Sequence, residues 1–279
     1  MGARSPLWPA TLHHLRIDSA QPEAMAEFYA RVFGLVRHEL ADGTLALVGG
    51  QRRVLIGRGR GKSLNFGAYA VRDQAQLEAL RGYIREQGVP VLPAPPCLFR
   101  EGAMTVADPD GRRVVFGLPR EDAGSDARPG RLQHLVVTSR DVAAVAAFYG
   151  EALGFVLSDR VLRDNGECTT CFYRSDPEHH SFAVFQADEV RLDHHSVEVP
   201  TWNDVRDWGD YLASLRIGID WGPGRHGPGN NLFFMLRDPD DNWIEISQDL
   251  ERMPREMVAR DWPHTEYTLN TWGRGVLRS

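Results

Sequence analysis

No stretch of the 279 residues approaches the ~18 consecutive apolar positions of a membrane-spanning helix, so no membrane partner is expected. Positive charge is not in excess either. Lys and Arg total 32 against 38 Asp and Glu, a formal net charge of −6, and the basic footprint that nucleic acid or an anionic surface demands is missing. The opening MGARSPLWPATLHHL lacks the apolar stretch of a secretory leader, and its loose match to a myristoylation pattern has no basic cluster behind it and reads as chance. Cysteine is scarce: Cys97, Cys168 and Cys171 build no even disulfide framework, and a reducing cytoplasm is the expected setting. Cys168 and Cys171 form a CTTC, the spacing of half a zinc site or of a redox pair. There is no second CxxC, and the flanks alternate like a strand, so ordinary buried or semi-buried thiols are expected. What remains is an ordinary globular composition, 42% hydrophobic and 25% charged, on a chain long enough for one large or two ordinary domains.

The chain repeats itself. LHHLRIDSAQPEAMAEFYARVFGLV (12–36) aligns without a gap on LQHLVVTSRDVAAVAAFYGEALGFV (132–156), at an offset of 120 residues. His14 meets His134, Phe28-Tyr29 meets Phe148-Tyr149, and Gly34 meets Gly154. Each segment predicts a short strand, a turn and an amphipathic helix ending near its glycine. A second match closes each unit: VADPDGRRVVFG (106–117) and LRDPDDNWIEIS (236–247) both place a turn-forming DPD before a β-rich run. The Pro-, Gly- and Asp-rich LPREDAGSDARPGR (118–131) between them reads as a linker. The expected division is an N-terminal domain over 1–122, a linker over 123–130, a second domain over 131–250 and a tail over 251–279.

Within the second unit, RLDHHSVEVP (191–200) sets two adjacent histidines on a strand that sends neighbours to opposite faces. His195 shares its face with Val197 and Val199, His194 with Ser196 and Glu198. Taking the apolar face as the buried one predicts His195 inward and His194 outward. His134 and Glu245 sit in phase with apolar neighbours on two other strands, and a buried carboxylate is costly unless paired or metal-bound. His134, His195 and Glu245 together match the 2-His-1-carboxylate facial triad of an octahedral divalent metal. For any one histidine alone a core role is the simpler reading. The set is read as a site because the first unit lacks it: Val115 stands for Glu245, and Asn65-Phe66 falls in the region of His195. His14 is then a solitary remnant.

The duplicated unit, this triad and the stretches EHHSFAV and GPGRHGPGNNLFF resemble the type I extradiol ring-cleavage dioxygenases of the vicinal oxygen chelate superfamily, in their biphenyl-2,3-diol and catechol 2,3-dioxygenase branch. The resemblance covers essentially the whole chain. It implies an α+β fold of tandem βαβββ modules forming two open barrels of glyoxalase-like type, the N-terminal barrel structural and the C-terminal one metal-binding. It implies Fe(II), or Mn(II), held by His134, His195 and Glu245, with O₂ as co-substrate and a small vicinal-dihydroxy aromatic compound as substrate. Further implications are aromatic hydrocarbon catabolism and a homo-oligomer. His180 is implied to act as acid/base near bound oxygen, and His226 to hydrogen-bond the substrate oxygen. His179 and His194 fall outside these matches and read as surface residues. Two neutral imidazoles and one carboxylate would leave Fe(II) a formal charge of +1, attractive to a catecholate.

The pattern is broken in two places. The family's substrate-binding tyrosine, ten residues before the carboxylate ligand, corresponds to Met235, which can pack on a ring but donates no hydrogen bond. Asp241 stands where the DPxG turn usually has glycine. Met235 keeps open a metal-dependent isomerase, epimerase or glyoxalase-like lyase of the same superfamily, or a binding protein that has lost turnover. In the tail, Trp262, His264, Tyr267 and Trp272 could wall the pocket as the family's tails do; docking of aromatics on the barrel exterior is the favoured reading. TWNDVRDWGDYLASL (201–215) predicts the helix of the last module, capped by Asp204, with Trp202 and Trp208 in the core.

Overall fold

A computed structural model describes residues 5–120, 124 and 126–277. The first four residues of the myristoylation-like pattern, and 121–123 and 125 in the expected linker region, lie outside the described residues.

The N-terminal half runs β1 (Ala10–Ser19), α1 (Pro22–Phe33), β2 (Val36–Glu39), β3 (Leu45–Val48), β4 (Arg53–Arg58), then β5 (Ser63–Val71), α2 (Gln74–Glu86), β6 (Leu92–Pro93), β7 (Met104–Ala107), β8 (Arg113–Gly117). The C-terminal half repeats this order. It runs β9 (Arg131–Ser139), α3 (Val142–Ala147) with a π-helical continuation (Phe148–Leu153), β10 (Val156–Leu162), β11 (Cys168–Arg174), β12 (Phe182–Gln186), then β13 (Arg191–Glu198), α4 (Trp202–Ser214), β14 (Trp221–Arg225), β15 (Leu232–Arg237), β16 (Trp243–Gln248). Each half is therefore two βαβββ modules. Their strands join into one eight-stranded and one nine-stranded mixed sheet, the second completed by β17 (Arg260–Pro263) of the tail. A short helix, α5 (Glu266–Leu269), follows.

The repeated Gly34 and Gly154 end their helices at φ 68° and 84°, a left-handed conformation that costs any residue with a Cβ. Asp241 takes the same region at φ 65°, where the first DPD turn has Gly111 at 84°; its carboxylate pairs with Lys62 and Arg237. On α4 the cap is Thr201, whose side chain accepts from the Asp204 amide while Asp204 reciprocates. Trp208 is buried as expected, but Trp202 is 44% exposed and lies outside the core.

The two sheets stand back to back over one core, to which Leu15, Tyr29, Val54 and Tyr69 contribute from one half and Leu135, Val137 and Phe182 from the other. The C-terminal sheet also curls, since Val161 of β10 and Trp221 of β14 line the same cavity. Its strands are consequently buried on both faces, outward against the N-terminal half and inward around a cavity. That double burial decides the site.

Candidate metal centre

Two β-bulges between the central strands of each half, β1 with β5 and β9 with β13, aim the central side chains. Between β9 and β13 the register slips once at Asp193 and once at Gln133, each an extra residue on its own strand. The side chain of each extra residue takes the imidazole that follows it: Gln133 Oε1 bonds His134 Nδ1, and Asp193 Oδ1 lies 2.7 Å from His194 Nδ1. An amide oxygen and a carboxylate only accept, so both Nδ1 atoms carry the proton and both Nε2 atoms keep a lone pair. Those Nε2 atoms face each other at 3.3 Å, and each lies 3.9 Å from an oxygen of Glu245. Two acceptor nitrogens and a carboxylate converging without a proton between them repel unless a cation sits among them. One ligand atom each from His134, His194 and Glu245 falls within 4.8 Å of the others, all three residues buried. The donor set is hard-to-borderline and fits Fe(II), Mn(II) or a similar divalent ion.

His195 is therefore not a ligand, correcting the expectation from strand alternation. Its ring lies on the outer face, where Nε2 meets the Tyr29 hydroxyl at 2.9 Å. The apolar face of β13 is indeed buried, but against the other half; the cavity lies on the face of His194 and Ser196. His194 and His179 are not surface residues either, at 5% and 0% exposure. A sequence signal for His194 exists. By strand pairing its twin in the first sheet is Phe66, while the twin of Glu245 is Val115. Both belong to the apolar cluster that fills the first sheet's interior beside His14, together with Phe99.

Glu245 is held as an anion. Burial pushes its carboxyl up, but the imidazoles of His226 and His194 beside it and the hydroxyl of Ser196 outweigh burial and hold the group below its ordinary value. Ser196 Oγ and Asn231 Nδ2 donate to Oε1 at 3.2 and 3.0 Å. His134 is driven well below 6.5 by burial first and the neighbouring histidines second, so it is neutral, as a metal ligand must be.

The other expected side chains also reach the cavity. His226 Nδ1 donates to Leu269 O of the tail, and its Nε2 stands 3.3 Å from Glu245 Oε2. His180 packs with its centroid 4.2 Å from that of His134. Behind it runs a buried chain that the sequence did not disclose: His180 Nδ1 to His179 Nδ1 at 2.9 Å, then His179 Nε2 to Asp159 Oδ2 at 2.9 Å. Asp159 in turn accepts from Arg260 and from the Trp262 indole. Because Asp159 only accepts, His179 carries its proton on Nε2, His180 donates from Nδ1, and His180 Nε2 remains the acceptor. Met235, 1% exposed, pairs directly with Glu245 across β15 and β16 and lines the cavity.

The tail does not simply dock aromatics outside. Trp262 packs on the cluster around Phe172, Tyr267 and Trp272 are exposed, and His264, Thr268, Leu269 and Leu277 line the cavity. The cysteines stand apart from the site. Cys168 and Cys171 are free thiols with their sulfurs 3.4 Å apart, and Cys97 is buried in the other half.

A two-histidine, one-carboxylate centre within tandem βαβββ modules defines a class of metal-dependent oxygen-chelate proteins. Residues 131–246 match the Glyoxalase/Bleomycin resistance protein/Dioxygenase superfamily. Biphenyl-2,3-diol 1,2-dioxygenase 3 of Rhodococcus globerulus is 32% identical over 155 residues, 51% of this chain and 75% of that protein. Metapyrocatechase 2 of Cupriavidus necator is 32% identical over 152 residues, 53% of this chain; the match spans 46% of that protein's length, less than half. Homoprotocatechuate 2,3-dioxygenase of Arthrobacter globiformis superposes with a TM-score of 0.79 at 22% identity, covering 99% of this chain and 91% of that one. A Mn(II)-bound glyoxalase from Novosphingobium aromaticivorans gives 0.78 at 24%, covering 96% and 92%. At these identities the two structures speak for the fold alone. The chain belongs to the extradiol dioxygenase family of this superfamily.

Proposed function

We propose that the protein is an Fe(II)-dependent extradiol dioxygenase that opens the ring of a vicinal-dihydroxy aromatic compound with O₂. The observation carrying this is the convergence of two acceptor imidazole nitrogens and an ionised Glu245, flanked by two further histidines in one cavity. His134, His194 and Glu245 would hold the metal, which when bound supplies sites for the diol and O₂ and the redox chemistry between them. The chain's own residues do the rest. His180 Nε2, kept an acceptor by the His179–Asp159 chain, takes a proton from a substrate hydroxyl and returns it later, work worth ~10²–10⁴-fold in rate. His226, fixed by Leu269 O, orients the substrate oxygen beside Glu245. Met235 packs on the ring and leaves oxygen recognition to the histidines. The first half serves as scaffold.

The test is anaerobic loading with Fe(II), addition of catechol, then oxygen. Oxygen uptake with a yellow ring-fission product supports the reading. Iron binding with no uptake across a panel of diols rejects it and favours the alternative that Met235 motivates, a non-oxygenase or altered binding member of the superfamily. Manganese loading in parallel decides between the two metals. A homo-oligomer and a place in aromatic catabolism accompany the reading, the first measurable by sedimentation.

A further inference from the structure

The cavity carries its polar chemistry at one end. The three ligands, His180 and His226 form the floor, and the walls are mostly apolar, Phe172, Phe185, Trp221 and Met235 from the sheet and Leu269 and Leu277 from the tail, with the neutral side chains of Thr170, Thr265 and Thr268 among them. No lysine or arginine lines it among the described residues. His264 at its edge is held below 6.5 by burial and then by Arg163, and so offers no cation at neutral pH. The volume is about 50 Å³, room for about four waters at ~10–15 Å³ each. The tail wall is stitched in place. Thr268 O accepts from the Gly227 amide at 2.9 Å, and Arg274 O from the Trp221 indole at 3.0 Å.

We infer that this pocket selects an uncharged, single-ring diol, bare or with a small apolar substituent, over diols carrying a carboxylate or a second ring. The inference rests on the diol reading above. Its physical basis is twofold. A carboxylate carried to a mostly apolar wall that offers no lysine or arginine loses its hydration without an opposite charge to offset the loss. A second ring needs space that the half-buried Leu269 occupies, with the more exposed Leu277 beside it, and overfilling the space at Leu269 forces side chains off their preferred rotamers.

The experiment is anaerobic calorimetric titration of the Fe(II)-loaded full chain with catechol, 3-methylcatechol, 3,4-dihydroxyphenylacetate and 2,3-dihydroxybiphenyl. Catechol and 3-methylcatechol should bind at least ~10-fold tighter than the other two, about 1.4 kcal/mol. Val276, 38% exposed at the mouth, tolerates charge. Val276→Lys should shift the affinity ratio of dihydroxyphenylacetate to catechol by ~10-fold toward the acid, and Leu277→Ala should shift the ratio toward the biphenyl. Equal or tighter binding of the acid or the biphenyl by the unaltered protein overturns the inference and leaves the diol reading standing. Iron uptake with no binding of any diol removes the diol reading itself, and this inference with it.

Discussion

Tyr29 on the first helix and His195 on the thirteenth strand meet at 2.9 Å across the seam between the two halves, and the same hydroxyl donates to Asp238 at 3.2 Å. With Asp238 accepting, the Tyr29 oxygen accepts from His195 Nε2–H, so the imidazole once expected to ligate metal is a buried tie between domains.

Replacing the two adjacent histidines should therefore have opposite consequences. His194→Ala should abolish stoichiometric iron while the fold survives. His195→Ala should keep iron binding but destabilise the protein by about 1–3 kcal/mol, since it leaves the Tyr29 hydroxyl short of a partner. Metal analysis together with urea unfolding separates the two.

Asp193 orients His194 and fixes its tautomer from behind. Asp193→Ala should weaken metal affinity by ~10–100-fold without removing a ligand, measured by competition with a chelator. Gln133→Ala should act in the same direction through His134.

Asp238 gives a pH signature. Burial first, offset by bonds from Asn242 and Tyr29, raises its carboxyl from 3.8 to about 6. The unfolded chain releases this proton first as pH rises. The contribution is present below about pH 4 and lost by about pH 6, a decline of roughly 3 kcal/mol. Asp238→Asn retains an acceptor oxygen for the turn and should lack this decline. Unfolding free energies compared between pH 4 and 7 check it.

Met235 faces Glu245 in register, so Met235→Tyr would bring a donor beside the carboxylate ligand. If ring cleavage is the activity, kcat/KM for catechol should rise several-fold, on the order of the 0.5–1.5 kcal/mol of one net hydrogen bond. A fall instead would mean that the apolar wall matters more than the missing donor.

The amino-acid sequence by itself determined the duplication, because the spacing of His134, Phe148-Tyr149 and Gly154 from their twins survives with no structure in hand. It also determined two of the three ligands, since His134 and Glu245 are polar residues on strands too apolar to face water. It could not choose between His194 and His195. Alternation says that neighbours point to opposite faces, but names the cavity side only when the other side is wet. Here tertiary packing buries both faces, and the valines beside His195 point to the partner sheet rather than to the metal. The His180–His179–Asp159 chain and the tail's place in the pocket wall were likewise decided in three dimensions. They depend on β10, β12 and residues beyond β16 meeting around one curl of sheet, which no local pattern encodes.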